Sequence, residues 1–196
     1  MISRAEQAKE TKEKIHQAAI TLFKNNNFDD VTIAMISKAA GVSKGLFYNY
    51  FPTKESVLIE HSRITDYGYK ELLDSLSEDS TTLQNLFAYA DKTTQILDSA
   101  ITPIVYADAL KHPDTSYMLN ESRYAEQLIT HIIKRGQEKG EIRTDCSVKL
   151  LVDTILSVSW GSYFAYHIRT TQENSETVYG EVLKQQLKIL YEGVKI

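Results

Sequence analysis

A chain of 196 residues, 42% of them hydrophobic, can bury a sizeable core, and its length leaves open one large domain or a small domain joined to a larger one. The polar opening stretch and the lack of an apolar run long enough to cross a bilayer give no signal peptide or membrane span to expect, which points to the cytoplasm; the single cysteine, Cys146, excludes an internal disulfide framework and a multi-cysteine zinc site. The net charge of −4 conceals an asymmetry: residues 1–54 hold eight Lys and Arg against five acids, or +3, leaving −7 for the remainder, so a basic head able to face phosphate precedes an acidic body.

Helix punctuation recurs along the chain with no sustained strand alternation, so the expected fold class is all-α, with about nine helices. Ile15, Ala18, Ala19, Leu22 and Phe23 recur at spacings of three and four, placing them on one face of a first helix that ends near residues 25–27. Phe28 is expected to fold back onto that face. Asp29-Asp30-Val31-Thr32 reads as a helix start, because the Thr32 hydroxyl can accept from a free backbone N–H and acids suit the positive helix end. Ile33, Ile36 and Ala40 mark the buried side of a short second helix, which Gly41 stops by taking the left-handed conformation of a sharp exit. Ser43 then caps a third helix, Lys44 to Phe51. Pro52 breaks it, and Thr53 caps a fourth that begins at Lys54 and runs to about Asp74. Breaks near residues 77–80, Thr102-Pro103, His112-Pro113, Gly140 and residues 171–174 separate roughly five further helices.

Two short helices joined by a glycine-containing turn, the second with a polar outer face, are what major-groove reading requires. Phe47 and Phe51 stand one helical turn apart and can anchor the third helix inward with Val42, which turns Lys44, Gly45, Tyr48 and Asn49 outward. Lys44 and Asn49 can read base edges, and Gly45 lets backbone approach closely. Tyr48, Tyr50, the Lys54 ammonium and the Thr32 and Ser43 hydroxyls suit phosphate oxygens, contacts that position a protein without choosing sequence. A surface helical hairpin would share the turn, but exposed tyrosines beside lysine favour the nucleic-acid reading.

The stretch Thr32 to Leu58, TIAMISKAAGVSKGLFYNYFPTKESVL, resembles the DNA-binding signature of the tetracycline-repressor (TetR) family. The resemblance implies a three-helix DNA-binding domain, a larger helical domain for ligand binding and dimerisation, and a small molecule that relieves repression. Carried over residue by residue, it places base reading on Ala34, Lys44, Gly45 and Tyr48 and phosphate contact on Thr32, Ser43, Tyr50 and Lys54. Ala34 departs from members with a long polar side chain there, so helix two is expected to read few bases. Arg4 and Lys9, expected ahead of the first helix, are further candidates for phosphate or minor-groove contact. The implied domains are a DNA-binding domain over 1–54, a connecting helix from about 54 to 74, and an effector-binding and dimerisation domain over 75–196. The expected partners are a pseudo-palindromic double-stranded operator, a small-molecule effector of apolar or aromatic character and a second copy of the chain, with no membrane, cofactor, metal or catalytic residue.

Within the body, Val148, Leu151, Val152, Ile155, Leu156, Trp160 and Phe164 give one helix a broad apolar face, and Leu183, Leu187, Leu190 and Val194 give the last helix another. The resemblance places a dimer interface on these two. The 12 tyrosines invite an aromatic-lined cavity, for which Tyr106, Tyr124, Trp160 and Phe164 are the candidates. Two other functions stay open: a helical ligand-binding or scaffold protein without specific DNA binding, and a di-iron carboxylate bundle, which needs two Glu-x-x-His motifs where only Glu13-Lys14-Ile15-His16 occurs.

Overall fold

Ser3 starts the first helix with a reciprocal cap: its hydroxyl accepts from the Glu6 N–H at 3.2 Å while the Glu6 carboxylate accepts from the Ser3 N–H at 2.6 Å. In the computed structural model, which describes residues 3–117, 122–169 and 175–196, that helix is α1 (Arg4–Asn25). Arg4 and Lys9 therefore lie inside α1 rather than ahead of it. There follow α2 (Ile33–Ala40), α3 (Lys44–Tyr50), α4 (Glu55–Ser75), α5 (Thr82–Ile96), α6 (Thr102–Lys111), α7 (Tyr124–Glu138), α8 (Val148–Arg169) and α9 (Ser175–Val194). The fold class is all-α: among the described residues the only extended pairing is one antiparallel bridge between Ile142 and Lys195. The break expected at residues 171–174 lies outside the described residues.

Chain packing forms two units, Met1–Ile64 with Asp98–Asn120, and Thr65–Leu97 with Glu121–Ile196. In the first, Ile15, Ala19 and Phe23 of α1 meet Ile36 of α2, Phe47 of α3, Phe51, and Val57 and Leu58 of α4 in one core. Phe28 folds back as expected, its ring 4.8 Å from that of Phe23. The expected division at residues 54 and 74 missed one member of this core. Ile101, which is 0% exposed, belongs to it, with Ile104 and Val105 packed alongside, and Lys24 pairs with Asp98 at 2.5 Å. Residues remote in sequence are held by apolar burial that no local pattern announces.

The second unit packs α5, α7, α8 and α9 together around Leu86, Leu128, Ile129, Ile132, Ile155, Leu183 and Leu187. The expected apolar face of α8 holds through Leu156 and then departs. Ser159, Ser162 and Tyr163 are the buried positions, Trp160 is half-buried and Phe164 faces out at 38% exposure. Steps of four residues overshoot a helix of 3.6 residues per turn by about 40° each, so two steps from Leu156 carry Phe164 off the buried stripe.

Candidate nucleic-acid interface

The turn between α2 and α3 is closed by backbone chemistry specific to its glycine. Gly41 adopts φ 68° and ψ 31°, its N–H donates to the Lys38 carbonyl at 3.2 Å, and the Val42 N–H donates to the Ser37 carbonyl at 2.9 Å. These paired bonds satisfy the last carbonyls of α2 and redirect the chain within two residues. Thr32 and Ser43 cap the helices on either side, each hydroxyl accepting one N–H, from Met35 at 3.3 Å and from Leu46 at 3.1 Å. Both hydroxyls are exposed and keep a proton to donate.

Phe47 and Phe51 are buried, with ring centroids 5.9 Å apart, and Val42 is half-buried beside them. Anchoring on that side turns Lys44, Gly45, Tyr48 and Asn49 to the surface together; Tyr48 is 53% exposed and meets the Phe47 ring edge-on at 5.8 Å. Ala34 is exposed on α2 and Tyr50 half-buried at the end of α3. A Cβ at Gly45 would meet nothing closer than Ser43 Oγ at 3.9 Å, so the fold does not require glycine there. Helix α3 ends at Tyr50, one residue short of expectation, because Pro52 drives Phe51 to an extended φ of −136°.

Lys54 differs from its expected place. Its ammonium donates to the carbonyls of Phe28 at 2.7 Å, Val31 at 3.2 Å and Asp29 at 3.3 Å, and lies 4.4 Å from the centre of the Phe28 ring. The three carbonyls match the three N–H groups of the ammonium in number, so in this half-buried side chain the ammonium is engaged by backbone.

Behind this surface, His16 of α1 stacks on His61 of α4 with ring centroids 5.5 Å apart. Burial pushes both imidazoles toward the neutral form, His61 down to about 4. His16, the histidine of the single Glu-x-x-His motif, therefore packs in the head, and among the described residues no three His, Cys, Asp or Glu side chains gather as a metal site. No helix among those residues is long and apolar enough to cross a membrane.

The four aromatic residues expected to line an effector cavity fall in both units. Tyr106 is half-buried in the first unit and Phe164 faces outward, while Tyr124 and Trp160 flank a cluster in the second unit that the sequence reading missed. The cluster centres on Asp66, 3% exposed, whose carboxylate accepts from the N–H groups of Tyr124 at 2.7 Å and Ala125 at 3.2 Å. The Arg123 guanidinium lies 3.7 Å from Asp66 and 5.8 Å from the centre of the Trp160 ring. Around it, Tyr69 donates to Thr93 at 3.0 Å and Tyr89 to Ser159 at 3.1 Å, and burial raises both phenols above their ordinary range. One signal was available. Leu58, Ser62, Asp66 and Tyr69 follow at spacings of four, four and three, which sets an acid on the buried stripe of α4.

This arrangement has known counterparts. Residues 15–60 match the family model described as bacterial regulatory proteins, tetR family. The HTH-type transcriptional repressor KstR2 of Rhodococcus jostii (strain RHA1) is 26% identical over 184 residues, covering 90% of this chain and 87% of that protein. Among solved structures, the Thermus thermophilus TetR-family repressor FadR in complex with lauroyl-CoA superposes with a TM-score of 0.66 at 27% identity, covering 93% of this chain and 94% of that one. The fatty acid degradation regulator FadR from Bacillus halodurans shares the fold, with a TM-score of 0.71 at 19% identity over 90% of this chain and 93% of that one. Helix-turn-helix, helical body and whole-length relatives agree: residues 15–60 match the tetR-family model, and the chain as a whole is similar to TetR-family DNA-binding transcriptional regulators.

Proposed function

We propose that this regulator is a repressor that binds a pseudo-palindromic operator as a homodimer and is released by a small-molecule effector. The observation that carries the reading is the joint exposure of Lys44, Gly45, Tyr48 and Asn49 on α3, directly after a turn built to expose them. Lys44, Gly45, Tyr48 and Asn49 read base edges, Ala34 adds at most a methyl contact, and Thr32, Ser43 and Tyr50 hold phosphates. On this reading residues 1–54 are the DNA-binding part, α4 is the connector, and the chain from residue 75 binds effector and partner.

The dimer is supported by apolar residues that α8 and α9 leave in solvent: Leu150 at 58% exposure, Ile189 at 71%, and Phe164 and Val182, with Ser157 and Gly161 between them. Phe164 thus moves from the effector cavity to the partner surface. The effector would lie by Arg123, Tyr124 and Trp160. Lauroyl-CoA bound to a relative of 27% identity favours an elongated apolar molecule with a polar end. Its binding selects one body conformation, α4 moves with it, and the two recognition helices lose the half-site spacing. Capture of genomic fragments by the purified protein tests the proposal: the expected product is a two-fold symmetric site from which an acyl-CoA or similar effector displaces the protein. Recovery of fragments without a common sequence would oppose it.

A further inference from the structure

We propose that Lys54 is a positioning residue for DNA recognition: its ammonium clamps the segment leading into α2 and thereby sets where the Thr32 hydroxyl meets a phosphate, a proposal that rests on the DNA-binding reading of this head. Of the three carbonyls it holds, those of Phe28 and Asp29 belong to the first two residues of the 3-10 turn Phe28–Asp30, and that of Val31 to the residue that follows it. The Phe28 carbonyl also accepts from the Val31 N–H at 3.2 Å, so the ammonium joins the bond that closes the turn. The third matters most. The Val31 carbonyl shares a peptide plane with the Thr32 N–H, so a bond to that oxygen fixes the orientation in which Thr32 enters its capping conformation, φ −104° and ψ 155°.

Lys54 reaches this segment from across the head. It follows Pro52 and Thr53 and immediately precedes α4, whose start is held by the reciprocal bonds of Thr53 and Ser56, N–H to hydroxyl at 2.9 and 3.2 Å. The clamp therefore ties the end of the recognition-helix loop to the start of α2, the two places that must keep their separation for phosphates on both sides of a groove to be gripped together. The Phe28 ring under the ammonium and Val31, only 1% exposed, anchor the far side of the clamp in the core. For the ammonium to turn toward a phosphate it would have to surrender three hydrogen bonds and this ring contact at once.

The test uses the full-length protein and a duplex selected by the unmodified chain from a random-sequence pool, with a scrambled duplex of equal length as reference. Lys54→Met keeps the apolar stem and removes the charge. The expected result is a loss of about tenfold or more on the selected duplex, the scale of one hydrogen bond to a charged group. The log–log salt slope should stay unchanged, because no phosphate counterion is released by Lys54 itself. Thr32→Val should cost severalfold alone and little in the Lys54→Met background, since the second residue acts through the first. A slope lowered by about one per subunit would overturn the proposal in favour of direct phosphate contact. Losses that multiply in full would overturn it as well, by leaving Lys54 a fold-stabilising residue independent of Thr32. Should Lys54→Met melt below the assay temperature, Lys54→Arg decides. Its planar fork cannot converge on three carbonyls around one nitrogen, so affinity falls if Lys54 is a clamp and is retained if it is a phosphate ligand. No preference of the unmodified chain for the selected duplex would sink the DNA-binding reading and the proposal with it, and is recognised before any variant is made.

Discussion

His16 and His61 stack at 5.5 Å with their ring planes 22° apart in the core of the head, and the pair makes the head sensitive to acid. Burial is the largest cause of the lowered pKa in both; the His16 charge and Lys24 add to it at His61 against Asp98, while Glu60 opposes it at His16. An unfolded histidine titrates near 6.5. Below that value the unfolded chain takes up protons that the folded head refuses, so stability is complete above about 6.5 and falls as pH drops toward 4. Thermal melts across this window should decline, and His61→Gln should flatten the decline. An identical pH slope in that variant would contradict the role given to the pair.

Gly41→Ala tests the turn. A residue with a Cβ at φ 68° carries strain of about 1–2 kcal/mol, and nothing else crowds the position, so the loss should be of that size and confined to backbone conformation. Denaturant titration measures it. A neutral substitution would mean that the turn relaxes out of the left-handed region.

Lys44 and Gly45 separate reading from folding. Lys44→Ala should leave the melting temperature unchanged and relax discrimination at one base-pair position by about 1–3 kcal/mol. Gly45→Ala meets no fold atom within contact distance, so a loss of operator affinity without loss of stability would register close approach to DNA. Unchanged affinity in both variants would remove the outward face of α3 from the interface.

Asp66→Ala strips the α7 N–H groups of Tyr124 and Ala125 of their acceptor and leaves Arg123 buried without its carboxylate. Breaking a buried pair on one side costs about 3–5 kcal/mol, so this variant should be among the least stable single changes in the second unit. Asp66→Asn, which keeps an acceptor, should cost less. Equal losses would show that charge rather than hydrogen bonding holds the start of α7.

The head was largely legible in the sequence because its determinants are local. Gly41 stops α2 through its own φ, Thr32 and Ser43 cap by reaching three residues ahead, and Pro52 sets the end of α3 through its neighbour. Interactions across tens of residues were not legible. The Lys54 ammonium bonds carbonyls 23 to 26 positions away, and Asp66 caps a helix 58 positions away. Both side chains have alternatives of equal local merit, and only tertiary packing chooses among them. Phe164 was misplaced for a different reason, since a spacing of four sustained twice rotates a residue off the stripe it began on.

Ile189→Lys, at a position 71% exposed, puts a charge on the proposed partner surface without disturbing the core. Sedimentation should report a dimer for the unmodified chain and dissociation in the variant, with operator affinity lost because a single head grips only one half-site. A variant that stays dimeric would place the partner elsewhere.

The most direct measurement for the account as a whole is the affinity of the unmodified dimer for a recovered symmetric duplex against a scrambled one at the same salt. Specific reading by α3 should give a preference of about a thousandfold or more, with protection of two half-sites about one helical turn, or a multiple of it, apart. Equal affinity for the two duplexes would contradict it.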